Sequence, residues 1–212
     1  MLYKKIFYLG FRVSVNPKNS LRMKQVLILV GTVFLFSMAA AQNRDHEPSA
    51  KHPFGSPNPE APPQISDFAG MIGRSDCLSL RRNPDGSWQD SLKMIWEFKY
   101  ILNGHAIQDL TFNEKGINAT SIRQYNKDSA NWVVSYNATG FVSNTPGVWL
   151  GNREGDKVVL KQNQKAPNGA EGFSRLTFFN IREEGFDWKG EWVDKAETIT
   201  YPFWYIWCRK AR

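Results

Sequence analysis

Few residues in this 212-residue chain could do chemistry. His105 is the only histidine after residue 65, because His46 and His52 stand in a proline-rich stretch ahead of it. A nucleophilic triad needs a serine or cysteine beside an oriented base. His105 directly follows Asn103-Gly104, a tight-turn pair, where an exposed polar residue is the ordinary occupant. Glu97 and Asp109 could share acid and base work, but Glu97 falls on the outward side of its strand. A metal site needs three or four converging donors, and His46 and His52 on a tether do not supply them. No phosphate-binding glycine loop is present. The residues therefore favour binding over catalysis.

The aromatic content carries that reading. All eight tryptophans, Trp88, Trp96, Trp132, Trp149, Trp188, Trp192, Trp204 and Trp207, lie after residue 65. Asp109, Arg123, Tyr125, Tyr136 and Arg175 fall on expected inward faces, where they would be costly in a dry core without partners. Together with Trp96, Tyr100, Trp132, Trp188 and Trp192 they form a candidate aromatic pocket whose polar groups could orient a ligand's carboxylate or hydroxyl. Two alternatives stand beside it. The aromatics could pack the interior shut with Asp109 and one arginine paired, or a register slip of one residue could turn the polar groups to water.

The element that must position these residues is a strand over 87–102. Trp88, Leu92, Met94, Trp96, Phe98, Tyr100 and Leu102 sit at even spacing with polar residues between, the period of a half-buried strand. Asn83-Pro84-Asp85-Gly86 precedes it, and Asn103-Gly104 follows as a type I′ hairpin signal. A helical turn over 66–71, capped by Ser66, is expected before the first strand. Ten strands are expected over 73–81, 87–102, 105–112, 117–126, 131–139, 148–152, 157–164, 173–181, 186–193 and 198–209. Their short connections make sequential neighbours antiparallel. The fold class is all-β, an antiparallel up-and-down barrel of about ten strands.

Three regions precede or bound this domain. A basic residue, an apolar run over 26–38 and then Ala39-Ala40-Ala41 have the order of a secretory signal peptide, with Met23 as the natural initiator and residues 1–22 as an upstream extension or an unusually long basic n-region. The run is short for spanning a bilayer, which needs roughly twenty residues, and a transmembrane anchor is the lesser alternative. Cleavage after Ala41 would remove six basic residues, Lys4, Lys5, Arg12, Lys18, Arg22 and Lys24, from the 27, leaving 21 against 20 acidic side chains. The formal charge then falls from +7 to about +1. Such a chain has no concentrated basic face for nucleic acid or an anionic membrane. Residues 42–64 are expected to form a flexible proline-rich linker, and 65–212 the barrel.

Cys77 lies in the first expected strand and Cys208 in the last. An exported chain with no other thiol is expected to join them, which would make first and last strands neighbours and close the barrel. Two buried free thiols are the alternative.

The segments Phe68-Ala69-Gly70, Asn83 to Trp88, Tyr100 to Asp109 and Phe186-Asp187-Trp188 together resemble a group of exported bacterial proteins of unknown function with a lipocalin-like or nitrobindin-like barrel of the calycin superfamily. The tryptophan usual after the glycine of the Phe-x-Gly entry in lipocalins is absent. The resemblance implies a secreted or periplasmic calycin-like barrel, and it carries over no catalytic residue. By analogy with nitrobindin-like barrels, haem ligation would fall to His105. The expected role is binding a small apolar or amphipathic molecule, with a protein-interaction barrel, including a homo-oligomer, as the alternative. In the last strand Tyr201, Phe203, Tyr205 and Trp207 share one face and Trp204 and Ile206 the other, so the N-terminal segment or another subunit would have to cover the outside. Asn118-Ala119-Thr120 and Asn137-Ala138-Thr139 match the glycosylation sequon, which carries no meaning in a bacterium.

Overall fold

The computed structural model describes residues 44–114, 116, 118–140 and 142–211. The signal-peptide, initiator and cleavage-site expectations lie outside these residues. Alternating apolar residues produce ten strands: β1 (Gly73–Arg81), β2 (Leu92–Ile101), β3 (Ala106–Asn113), β4 (Asn118–Asn126), β5 (Asn131–Ala138), β6 (Gly147–Glu154), β7 (Lys157–Asn163), β8 (Gly172–Arg182), β9 (Gly185–Asp194) and β10 (Thr200–Lys210). Each pairs antiparallel with its sequence neighbours, and β1 pairs with β10, so the sheet is a closed barrel. Closure removes the free sheet edge that an open sheet would present.

The seam holds seven residue pairs in register, from Ser75 opposite Lys210 to Arg81 opposite Trp204. In its middle Cys77 stands directly opposite Cys208 with their Cα atoms 4.2 Å apart, and the two form a disulfide. Both sulfurs are buried on the inward face. Each strand contributes its alternate residues to that face: Met94, Trp96, Phe98 and Tyr100 from β2, for example, are all buried.

One end of the barrel is plugged. A 3-10 helix, Pro63–Met71, crosses it and buries Ile65, Phe68 and Met71. Phe68 packs edge-on against Trp132 at 4.9 Å and against Phe178 at 5.8 Å. The Trp132 indole donates to Asp67 Oδ2 at 2.9 Å, which ties the helix to β5. The helix begins three residues earlier than expected, after Pro62, because prolines tolerate a first turn whose N–H groups are unpaired anyway. Ser66 does not cap it and donates instead to the Pro63 carbonyl.

The stretch expected to be an unpacked linker is seated on this same end. Backbone N–H of His46 donates to Asn103 Oδ1, Asn103 N–H donates to Glu47 Oε1, and Tyr100 N–H donates to the Phe54 carbonyl. Proline leaves few donors of its own, so the segment takes its hydrogen bonds from the β2–β3 turn instead. That turn is also shifted from its expected place. Leu102 and Asn103 hold its two central positive φ values, 53° and 50°, with Gly104 N–H closing on Ile101 O. Gly104 follows at φ 79°, and a Cβ there would meet Asn58 N and Ser56 O at 2.5 Å. Only glycine fits beneath the strap.

Two further expectations are corrected. The long strand over 87–102 is shorter at its start, since Trp88 is held only by an isolated bridge to Arg82 and lies outside against Tyr205, at 5.5 Å. Phe203 does not share a face with Tyr205 and Trp207. A register shift between Pro202 and Trp204 turns it toward the interior over Gly190, where a Cβ would lie 3.0 Å from its ring. The described N-terminal stretch does not cover the outside of β10. Tyr205 and Trp207 stack on each other there at 5.8 Å, and Trp207 keeps 38% of its surface exposed.

Candidate functional site: the hollow half of the barrel

Above the plug the barrel is not filled. A cavity of about 800 Å³ extends to the rim opposite the helix, where the β1–β2, β3–β4, β5–β6, β7–β8 and β9–β10 connections gather. Its deep wall is aromatic. The Trp96 ring lies 5.7 Å from Phe178 and 6.1 Å from Trp188, and Trp188 lies 5.0 Å from Trp204. Tyr136 and Trp149 meet edge-on at 6.3 Å nearer the mouth.

The charged side chains among the described lining residues are Arg81, Asp109 and Arg123. Asp109 and Arg123 form an ion pair, each side chain 3% exposed. The pairing follows from register: Asp109 stands opposite Ser121 on β4, and Arg123 is the next inward residue along that strand. Ser121 N–H donates to Asp109 Oδ1 at 3.0 Å and holds the carboxylate in place. The guanidinium lies between the rings of Phe98 and Phe68, 4.9 and 5.1 Å from their centroids, where the quadrupole favours a cation. Taking both charges from water is expensive, so such a pair is weak evidence for stability. It reads better as a fixture of the site.

Several buried donors find no acceptor. Arg123 Nε and Nη1 and Trp96 Nε1 have no hydrogen-bond partner. Other indoles around the barrel are satisfied: Trp149 donates to Ser174 Oγ, and Trp204 donates to Ser79 Oγ at 2.8 Å. A buried unsatisfied donor costs about 1–3 kcal/mol, which a bound acceptor would recover. At the mouth the Arg81 guanidinium lies 3.6 Å over the Trp204 ring, and burial lowers its pKa. Tyr136 is pushed the other way. Burial raises its phenol pKa, Arg81 partly offsets the rise and Asp109 adds to it.

Of the ten candidate pocket residues, Trp96, Asp109, Arg123, Tyr136 and Trp188 line the cavity. The other five are placed elsewhere. Tyr100 and Trp132 are buried in the packed half, and Tyr125 packs on Trp132 at 5.7 Å beside them. Trp192 donates to the Gln164 carbonyl. Arg175 faces outward, because Ser174 and Leu176 take the inward positions beside it, and it pairs with Glu191 at 3.0 Å and Glu197 at 2.9 Å. His105 is half-buried beside the β2–β3 turn at the plugged end, away from the cavity lining. Sequence reasoning missed Arg81, Trp149 and Trp204. Arg81 was findable, since it is four residues from Cys77 and shares its face.

A shallower depression of about 870 Å³ lies on the outer wall, with Leu78, Ile95, Phe112 and Trp207 among its lining residues. None of its lining residues carries a buried donor or acceptor lacking a partner.

The fold is a closed, antiparallel, ten-stranded β-barrel, consistent with a calycin-like fold in general. No family profile matches the sequence, and no curated protein does. In three dimensions the chain is similar to Rv2717c from M. tuberculosis, at 9% identity and a TM-score of 0.50, covering 72% of this chain and 100% of that one. That likeness shows the fold alone. A protein of unknown function of the DUF3598 family from Nostoc punctiforme aligns at 6% identity and a TM-score of 0.24, over 71% of this chain and 100% of that one. That alignment carries no argument.

Proposed function

We propose that this protein binds a small apolar or amphipathic molecule inside the barrel and takes it in through the rim opposite the 3-10 helix. The observation that carries the reading is the division of the interior, a packed aromatic half under a hollow half lined by aromatics and a few fixed polar groups. Ligand sites are mostly apolar with a small number of placed polar groups, and this lining has that composition. Binding is read ahead of catalysis because His105 stands at the far end from the cavity. Haem ligation through His105 has the same difficulty. An exported location, secreted or periplasmic, is part of the proposal, and the Cys77–Cys208 disulfide supports an oxidising compartment.

Titration of the purified protein with fatty acids, sterols and aromatic probes tests the reading. Four cavity-lining tryptophans, Trp96, Trp149, Trp188 and Trp204, should report a saturable change in fluorescence. No saturable change across the panel overturns the proposal. Native mass spectrometry of protein purified from its own host should show retained mass and gives subunit number in the same spectrum.

A further inference from the structure

We infer that the cavity's occupant carries a carboxylate, seated at the buried end beside Arg123 and Trp96 with its apolar body directed toward the mouth. The inference rests on the binding reading above and adds the chemical class of the ligand and its direction of entry.

Three observations converge on it. The first is an excess of donors. Arg123 Nε and Nη1 and Trp96 Nε1 are buried on two cavity-lining residues and lack acceptors, against one buried acceptor without a hydrogen-bond donor, Asp109 Oδ2, which the ion pair with Arg123 already engages, so the group wanting at that depth is an acceptor. A ligand amine would set donors against donors. The second is charge. The described lining holds two arginines against one aspartate. Asp109 is already committed to Arg123, and Arg81 at the mouth lies over the Trp204 ring near the Tyr136 phenol. An anion brings the lining to neutrality, which an alcohol or ketone does not do; the charge balance argues for an anion, and the buried donors argue for its depth. The third is shape. Arg123 is held against the plug by the Phe68, Phe98 and Phe178 rings, at 5.1, 4.9 and 5.7 Å. Leu160, Leu176, Trp188 and Ile206 make the middle of the wall apolar, and Arg81, Gln89, Asn113 and Gln162 stand toward the rim. A molecule entering with its carboxylate last would leave the Arg123 and Trp96 donors unfilled and place the charged group at the rim.

Isothermal titration with decanoate and decanol, matched in chain length, tests this at low salt and mildly alkaline pH. Decanoate is expected to bind at least about tenfold more tightly, the scale of a charge-assisted hydrogen bond over a neutral one. The double variant Asp109→Asn/Arg123→Gln removes both charges together, and Trp96→Phe removes one donor while keeping a ring. Each should weaken decanoate more than decanol and narrow the preference to about threefold or less. Thermal unfolding of each variant establishes that it is folded, and Trp96→Phe stands as the test if the double variant is not.

Decanol binding as tightly as decanoate overturns the carboxylate while leaving the cavity reading intact. A preference that survives both variants but disappears in Arg81→Gln places the anion at the mouth and overturns the orientation. Saturation by neither ligand, nor by the wider panel, takes both readings down together.

Discussion

Breaking the bond between Cys77 and Cys208 tests whether the seam is what makes this sheet a barrel. The two cysteines are 131 residues apart in sequence. In the chain-entropy treatment a cross-link spanning a loop of that length restricts the unfolded chain by about 5 kcal/mol at 25 °C, a mechanism that depends on the reference state chosen. For a domain of this size each kcal/mol moves the melting temperature by about 2–4 °C, so reduction should lower Tm by about 10–20 °C. Reduction removes none of the seven β1–β10 residue pairs by itself, so the reduced protein is expected to fold and to keep its far-ultraviolet spectrum at low temperature. Calorimetry of the oxidised protein against protein reduced in denaturant, refolded and held under reductant gives the difference directly. The comparison leaves both side chains in place and so avoids the cavity that Cys→Ala would open. A drop in Tm below about 3 °C would refute the reasoning, because it would mean that strand pairing alone holds the ends together in the unfolded reference as well as the native state.

Three other perturbations have defined outcomes. Asp109→Ala strands a buried guanidinium and should cost about 3–5 kcal/mol in urea unfolding, whereas Asp109→Asn/Arg123→Gln, which leaves no unpaired charge, should cost markedly less. Phe68→Ala removes the ring that closes the plugged end and should cost about 3–5 kcal/mol, read as a shift in denaturation midpoint at unchanged slope. Burial lowers the Lys210 ammonium from 10.5 to about 8. Between those values the unfolded chain binds more protons than the native one, so stability should rise as pH climbs from about 8 toward 10. Above that the Tyr100 and Tyr136 phenols, whose pKa values burial raises, work against the rise. Lys210→Met should flatten the climb in denaturation midpoints measured across that range.

The architecture was legible because a single-walled barrel writes itself as period two, and β2 shows it from Leu92 to Tyr100 without interruption. Cys77 and Cys208 supplied the one long-range restraint that local pattern lacks, and that restraint placed β1 against β10. The candidate site was half legible. Alternation placed Asp109, Arg123 and Tyr136 inward, but it does not say how far along the barrel axis a residue lies. Tyr100 and Trp132 are therefore inward yet entombed beneath the cavity. Arg175 was lost to a one-residue choice of face that only its partners Lys161 and Glu191 across the sheet resolve. Phe203 was lost to a bulge, an irregularity with no reliable residue signature beyond Pro202. The strap over 44–62 was misread because its prolines suggest an extended, unpacked chain, while the contacts that seat it belong to Asn103 and Gly104, far along the sequence.

Both ends of the described chain leave from the plugged side. His46 sits on Asn103 at one terminus, and at the other Ala211 N–H donates to the Arg74 carbonyl, beside the Lys210 ammonium on Ile72. A bead or surface attached at residue 44 or at residue 211 would thus hold the vessel by its base and leave its opening facing the solution. Protein immobilised at either of these two positions should accordingly load as readily as free protein.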